Sequence, residues 1–251
     1  MPSINAVFMC SFPQHGRLEI KIKPTADITT LKAMTFSPPS IATCLAHMIL
    51  AGVTGWSLKY LPSSSHATGD ASAPYIFVLL VFLLMHSLLG IFRFSHPEPH
   101  KNLRTLYELS ALLALACPLP LLNAQLCIKY QFYGSQLVVH IFLLCSVLGP
   151  FLAGWLYSAL SQRHKSYYVS TVAVVLNLGV LAWASFNNEN VWGVGLVVSY
   201  GMKHFALPWL TDRYSVPFVD LYTYGLGFFE IFAVNVVIDA DLYYRTELVV
   251  Q

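Results

Sequence analysis

Eight ionisable side chains fall inside strongly apolar stretches of this sequence, where they are the residues best placed to carry chemistry. A charged group in the hydrocarbon of a bilayer costs about 2.5 to 3.5 kcal/mol, so such groups persist where they have a use or a partner. We treat them together as a candidate intramembrane polar site. They are Glu230, His86, His47, His204, Asp220, Lys203, Glu108 and His140.

Depth separates these residues if successive apolar stretches cross a membrane in alternating directions. His140 and Glu230 then lie in the outer half and the other six in the half nearer the N-terminus, where they would suit a proton or solute path. The structural interpretation is that Glu108, Lys203 and Asp220 stand within about two turns of helix ends, where water is close. It also predicts an ion pair between Lys203 and Asp220.

Glu230 is the most informative of the eight. It stands thirteen residues after Pro217, near the middle of the last apolar stretch, and must face protein and not lipid. Its structural interpretation is a hydrogen-bonded carboxyl that holds this helix to Asn177 or another partner. Its functional interpretation is a group that binds a proton or a transported solute.

Metal and cofactor chemistry receive no support from local spacing. HExxH is absent, and the pair His96 and His100 encloses two prolines, so it belongs to a connection. A site assembled from His47, His86 and His204 has no local signature. GxxxxGK[ST], GxGxxG and GxSxG are absent as well. We therefore predict no metal and no cofactor.

The composition explains why these stretches should be solvated by lipid. Of 251 residues, 56% are hydrophobic and 10% charged, and the mean hydropathy is +0.60. A water-soluble globule of this composition would lack the polar surface to cover itself. The net charge of +2 is small and the basic residues are scattered, which argues against nucleic acid. Membrane lipids are the expected partners, and a membrane-protein partner or a second copy stays open.

The sequence predicts an all-α membrane protein, a polytopic bundle of about seven helices. A helix needs about 20 apolar residues to cross the bilayer, and lipid-facing backbone must be satisfied internally. The count becomes six if Val191–Leu210 lies in the interface. Prolines 118, 120 and 150 interrupt their stretches and should free backbone carbonyls. The predicted spans are Ser40–Tyr60, Pro74–Phe94, Leu103–Leu126, Ser135–Leu160, Tyr167–Phe186, Val191–Leu210 and Pro217–Ile238.

The distribution of basic residues predicts a cytoplasmic N-terminus and a C-terminus that is outside or lumenal. Cytoplasmic connections carry the excess of Lys and Arg. With seven spans only Lys59, Lys129 and Arg245 lie on the far side. The N-terminal side holds Arg17, Lys21, Lys23, Lys32, Arg93, Lys101, Arg104, Arg163, Lys165, Lys203 and Arg213.

Three regions follow from these assignments. Residues 1–39 form a cytoplasmic N-terminal tail, residues 40–238 the transmembrane bundle, and residues 239–251 a C-terminal tail. In the first tail, Gly16 to Lys23 alternates apolar and polar side chains, a pattern typical of a short half-exposed strand in a β-hairpin.

Two segments carry a family resemblance. Val172 to Val175, with Asn188-Glu189-Asn190-Val191-Trp192-Gly193, resembles the late part of the uncharacterised multipass family called transmembrane protein 276. The resemblance covers about a fifth of the chain. It implies a multipass helical membrane protein and assigns no activity, so no functional residue is carried over.

Three function classes remain. A small-molecule or ion transporter, or a channel-like protein, ranks first because of Glu230 and the inner polar group. A non-catalytic scaffold or accessory subunit predicts ionisable residues that are paired or near water. An intramembrane lipid-modifying enzyme predicts histidines and carboxylates that converge in a cleft. An enzyme is the less favoured class.

Overall fold

The computed structural model describes residues 41–66, 73–96, 100–130, 136–159, 163–214 and 216–250, and every regular element within these ranges is helical. The all-α prediction is thus confirmed for the described part of the chain. The predicted N-terminal tail and its strand from Gly16 to Lys23 lie outside the described residues.

The described helices follow one another with short connections. They are α1 (Ile41–His66), α2 (Pro74–Ser95), α3 (Lys101–Ala116), α4 (Pro118–Lys129), α5 (Gln136–Ala159), α6 (Arg163–Asn187), α7 (Val191–Gly201), a π-helical turn (Met202–Ala206), α8 (Leu207–Tyr214) and α9 (Phe218–Val250). Helix α9 continues to Val250, so residues 239–250 of the predicted C-terminal tail are helical.

Three described helices are long and apolar enough to cross a membrane, and a fourth span results if a bent pair is one crossing. The three are Ile41–Leu61, Pro74–Ser95 and Phe218–Leu242. The bent pair is α3 with α4, at 44°. Leu137–Gly149 and Thr171–Asn187 are shorter apolar helices. By length and composition the described residues therefore contain three to four spans, and the seven predicted from sequence are not confirmed.

Burial is arranged as expected for a protein solvated by lipid. Large apolar side chains face outward, such as Ile41, Phe186 and Val191 at 80%, 69% and 78% exposure. Polar side chains such as His47 and Glu230 are fully buried. This distribution suits helices that present hydrocarbon to lipid and keep polar groups against protein.

Contacts along α9 give the directions of its neighbours. Tyr222 contacts α3 at Ala114, and Asp241 forms an ion pair with Lys129 at the end of α4, so α3 and α4 run parallel to α9. Helix α2 runs the other way, because His86 meets α3 at Ser110 while Tyr75 near the start of α2 meets α4. Helix α1 is joined to α2 by a short connection and therefore runs with α9.

A tight turn joins α6 to α7. Glu189 has φ of 54°, the left-handed conformation that commonly ends a helix. The Asn190 N–H donates to the Ser185 carbonyl at 2.9 Å, and the Glu189 N–H donates to the Phe186 carbonyl at 3.4 Å, which completes a Schellman motif. The second segment of the family resemblance is therefore a helix end followed by a helix start.

Asn190 is the N-cap of α7 and ties three helices together. Its Oδ1 accepts the Gly193 N–H at 2.9 Å, while its Nδ2 donates to the Tyr130 hydroxyl at 2.9 Å and to the Val236 carbonyl at 3.0 Å. Because Asn190 is 1% exposed, these bonds are sheltered from competing water. The turn thus fixes α7 against the end of α4 and the middle of α9.

Candidate functional site

Two of the predicted histidines meet in a buried cluster formed by α1, α2 and α3. The rings of His47 and His86 are 5.5 Å apart between centroids and lie edge to face. His47 Nε2 is 3.1 Å from the Tyr107 hydroxyl, and His86 Nδ1 is 2.9 Å from the Ser110 hydroxyl. We call His47, His86, Tyr107 and Ser110 the inner polar cluster. All are buried, with His47 at 0% exposure.

His47 is the tightest member of this cluster. A Cβ atom built on Gly90 would lie 2.5 Å from the His47 ring, so only glycine lets α2 approach the imidazole this closely. In the described part of the chain the other ring nitrogen, Nδ1, is buried and has no hydrogen-bond partner. A ring nitrogen in that position can take up a proton or bind a water molecule.

Positive and negative charges border the inner polar cluster. The Arg93 guanidinium carbon lies 4.5 Å from the centre of the Tyr107 ring and 5.1 Å from that of Phe94. Asp220, in the first turn of α9, is close enough to Tyr107 to interact electrostatically. The Asp220 Oδ1 is buried and has no hydrogen-bond partner among the residues that the structure describes. A carboxylate in the first turn is favoured by the helix dipole.

Glu230 lies apart from this cluster, at the contact between α9 and α1. It is 0% exposed, and both carboxyl oxygens are 2.8 Å from the Thr54 hydroxyl oxygen. In the described part of the chain Glu230 has no ion pair and no other hydrogen bond. The structural interpretation names Asn177 or another partner; the partner found is Thr54, and Asn177 accepts from the Asn123 amide at 2.8 and 3.1 Å.

The Thr54 hydroxyl has a single hydrogen for three neighbouring oxygens. Besides the two carboxyl oxygens, the Leu50 carbonyl lies 2.8 Å away. If Thr54 donates to Leu50, a protonated Glu230 can complete the set by donating to Thr54. If Glu230 is ionised, Thr54 can turn and donate to it. The site therefore accommodates both states of the carboxyl with one hydroxyl rotation.

A polar stripe on α1 connects the two sites. Thr43, His47, Thr54 and Ser57 are 1%, 0%, 0% and 0% exposed, and their spacing of four, seven and three residues places them on one helix face. The Ser57 hydroxyl, one turn beyond Thr54, is buried without a hydrogen-bond partner in the described ranges. This stripe extends from the inner polar cluster past the middle of the helix.

Lys203 occupies an aromatic cage, and the predicted ion pair with Asp220 is not formed. The Lys203 Nζ lies 4.4 Å from the ring centres of Tyr200 and Tyr222 and 5.9 Å from that of Phe229. Lys203 is 5% exposed and belongs to the π-helical turn. Cation–π contacts with desolvated rings are worth about 2 kcal/mol and replace the carboxylate that the sequence suggested.

Tyr222 connects this cage to the bend between α3 and α4. Pro118 has no N–H, so the Ala114 carbonyl loses the helical hydrogen bond that residue 118 would supply. The Tyr222 hydroxyl donates to that carbonyl at 2.9 Å. The Lys203 Nζ is in turn 3.5 Å from the Tyr222 hydroxyl. Pro118 therefore frees the carbonyl of Ala114, as expected, and Tyr222 on α9 donates a hydrogen bond to it.

Tyr222→Phe is expected to destabilise the protein by about 1 to 3 kcal/mol, because it leaves the buried Ala114 carbonyl without a partner. Thermal unfolding in detergent measures the effect. Tyr224→Phe is the matched control, since Tyr224 on the same helix is 38% exposed. Equal melting temperatures for the two variants would show that the hydroxyl does not support the bend.

The remaining candidates lie in separate contacts. Glu108 pairs with Arg104 at 3.1 Å, one turn away on α3. His140 Nε2 is 2.7 Å from the Tyr75 hydroxyl at an exposed position. The His204 ring contacts the Phe205 ring edge to face. Its Nε2 is buried and has no hydrogen-bond partner among the described residues. The structure thus joins His47 with His86 and leaves Glu230, Lys203, His204, Glu108 and His140 apart.

The residues that the structure describes form no metal-binding site. No group of three or more His, Cys, Asp or Glu side chains there could hold a metal ion. His47 and His86 are adjacent, but their described neighbours are hydroxyl groups and rings. The cluster is suited to proton exchange through imidazole and phenol groups and not to metal ligation.

Sequence reasoning missed the residues that complete these sites. The helical spacing of the α1 stripe could have identified Thr54 from the sequence, but hydroxyl residues are common in membrane helices and are a weak signal. Tyr107 and Ser110 carry no signal of burial beyond their position on α3. The aromatic cage of Lys203 combines residues from two helices, so no local sequence pattern predicts it.

The helical fold, the apolar outer surface and the buried polar groups are those of a helical membrane protein. The chain belongs to the family described as a domain of unknown function (DUF4791), whose model matches residues 71–228. The matched part contains His86 and Lys203, whereas His47, Thr54 and Glu230 lie outside it. No curated protein and no solved structure matches the chain. The resemblance to the transmembrane protein 276 family stays a prediction.

Proposed function

We propose that this chain is an ion transporter in which Glu230 binds the transported cation near the middle of the membrane. The observation that carries this proposal is the geometry at Glu230. A fully buried carboxyl has both oxygens on one threonine hydroxyl and no basic partner among the described residues. An amide or a hydroxyl could join the two helices at a lower desolvation cost than a carboxyl.

The proposal includes seven membrane crossings, with the N-terminus cytoplasmic and the C-terminus opposite. Helices α5 and α6 have 24 and 25 residues, lengths that suffice for a crossing at about 20 residues. The sixth crossing is formed by α7, the π-helical turn and α8, which follow one another without a break. The antiparallel contacts of α7 with α9 support this arrangement, since Asn190 meets Val236 and Lys203 meets Tyr222.

A non-catalytic scaffold is the second candidate. The observation in its favour is that Glu230, His86 and His204 make unrelated contacts and do not converge on one point. Against it stands the polar face of α1, on which His47 Nδ1 and the Ser57 hydroxyl are buried without a hydrogen-bond partner among the described residues. Transport is therefore the function that the geometry supports best.

Thr54→Val is expected to slow ion flux about tenfold or more. The ionised Glu230 would lose its hydrogen bond, worth about 1.5 to 3 kcal/mol for a charged acceptor, so the step that empties the site becomes harder. Thr54→Ser keeps the hydroxyl and should keep most of the flux. The purified protein is reconstituted in liposomes, a potassium diffusion potential is imposed with valinomycin, and proton and sodium entry are followed separately.

Both outcomes of that assay bear on the proposal. Entry of either ion that depends on the hydroxyl at position 54 supports it. Liposomes containing the wild-type protein that admit neither ion faster than empty liposomes would contradict it and favour the scaffold.

A further inference from the structure

Three successive layers of side chains lie between the inner end of the bundle and Glu230. The inner polar cluster comes first. Next come three buried leucines, Leu50 on α1, Leu83 on α2 and Leu226 on α9, which we call the leucine layer; they are 1%, 0% and 0% exposed and belong to one apolar cluster. The contact of Thr54 with Glu230 forms the third layer.

The register of the helices fixes this order. Leu50 is three residues after His47 and four before Thr54 on α1. On α2, which runs the opposite way, Leu83 is three residues before His86, the neighbour of His47. On α9, which runs with α1, Leu226 is four residues before Glu230. One helical turn therefore separates each layer from the next, and His47 lies roughly 10 Å from Thr54 along the axis.

The third layer has too few ligands for a dehydrated metal cation. Hard cations such as Mg²⁺ and Ca²⁺ take six or more oxygen ligands. Glu230 and Thr54 offer three oxygens, and the Leu50 carbonyl is already within hydrogen-bond distance of Thr54. A single proton needs only what is present, since rotation of the Thr54 hydroxyl lets it accept from the protonated carboxyl or donate to the ionised one.

The inner polar cluster consists of groups that accept and release protons. His47 faces His86 and Arg93 on α2 and Tyr107 on α3, while Asp220 lies near Tyr107 from α9. The partnerless Nδ1 of His47 is the one described ring nitrogen of this residue left to take a further proton or a water molecule. This layer and the third layer therefore share one chemistry, with apolar side chains between them.

We propose that the ion carried by this protein is a proton, exchanged between His47 and Glu230, and that the leucine layer is the barrier it must cross. This inference rests on the proposed function and specifies its substrate. One proton enters at His47 and one leaves beyond Glu230, toward the Ser57 hydroxyl, so the protein is unchanged after each cycle. Passage requires the leucine layer to part and admit water, because roughly 10 Å exceeds the length of a hydrogen bond.

The test uses the full-length protein in liposomes, with internal pH reported by a trapped pH-sensitive dye and sodium entry by a radioactive tracer. Leu50→Ala is expected to raise proton entry several-fold. Leu45→Ala, on the same helix at a 49% exposed position, is the matched control. His47→Gln should remove most of the proton entry, and His140→Gln should not. Elution as one monodisperse peak in detergent shows that each variant is folded.

A double variant separates a specific path from a damaged bundle. Leu50→Ala combined with Glu230→Gln should return proton entry to the level of empty liposomes. Persistent entry in the double variant, or no increase with Leu50→Ala, would overturn the leucine layer as the barrier. If Leu50→Ala does not fold, Leu226→Ala and His47→Gln carry the test.

The ion measured distinguishes this inference from the proposed function. Glu230-dependent sodium entry without proton entry would overturn the proton inference and leave the transporter standing. Entry of neither ion would overturn both.

Discussion

Glu230→Gln is expected to reduce ion entry to the level of empty liposomes. Glutamine has the size of glutamate and can still hydrogen-bond to Thr54, so packing between α1 and α9 is retained. It cannot ionise, however, and so cannot exchange a proton or bind a cation by charge. Because Glu230 is 0% exposed, water cannot substitute for the lost carboxylate. The same reconstituted assay measures the effect.

Two matched controls accompany this substitution. Glu189→Gln changes an exposed carboxyl in the turn between α6 and α7, and Glu108→Gln changes one that pairs with Arg104 on the surface of α3. Both should retain wild-type flux. Glu230→Asp keeps the charge but shortens the side chain by one methylene, so partial flux is expected. Wild-type flux in the Glu230→Gln variant would remove this residue from the mechanism.

Gly193→Val is expected to destabilise the protein by about 3 kcal/mol or more, a large part of the total stability of an ordinary domain. A Cβ atom at Gly193 would lie 2.0 Å from the Ser185 hydroxyl and 2.8 Å from its Cβ, so the two helices would have to separate. Separation would also weaken the cap at Asn190 and its bonds to Tyr130 and Val236. The yield of monodisperse protein in detergent reports the loss.

A rescue experiment separates this steric effect from a general effect of the larger side chain. Gly179→Val, on α6, is the matched control, since nothing lies within 4 Å of its added Cβ. Gly193→Ala should be destabilised, and the additional change Ser185→Gly should restore much of the lost stability by removing the obstructing atoms. Failure of the double variant to recover would show that the close approach of the helices is not the cause.

Much of the helical architecture follows from short-range patterns. The apolar stretch from Pro74 to Phe94 predicts α2 closely, and the stretch from Pro217 predicts the start of α9, which extends to Val250 beyond the predicted end at Ile238. Pro118 predicts a freed carbonyl. The number of spans does not follow equally well, because length and apolarity single out only three to four crossings among the described helices.

The partners of the candidate residues depend on contacts between distant helices, which no local pattern encodes. Thr54 and Glu230 are 176 residues apart in the chain. Asn177, the partner suggested by chemistry alone, is satisfied by Asn123 instead. Lys203 illustrates the same limit, because two of the three aromatic rings around it, Tyr222 and Phe229, lie on α9.

Two buried polar atoms without a hydrogen-bond partner among the described residues lie on α1: His47 Nδ1 and the Ser57 hydroxyl. Asn123 Oδ1 and Gln125 Nε2 on α4 are in the same condition, so it does not by itself separate function from structure. The position of His47 and Ser57 is what distinguishes them. His47 and Ser57 belong to the α1 stripe that leads past Glu230, which is where water and protons would have to pass.

Infrared difference spectroscopy on the purified protein tests the central claim most directly. If Glu230 binds and releases a proton, the spectrum contains a carbonyl stretching band of a protonated carboxylic acid. This band disappears as the pH is raised and is absent from the Glu230→Gln variant. It should also shift in frequency in the Thr54→Val variant, which lacks the hydroxyl beside the carboxyl. Identical difference spectra from the wild-type protein and the Glu230→Gln variant would contradict the account.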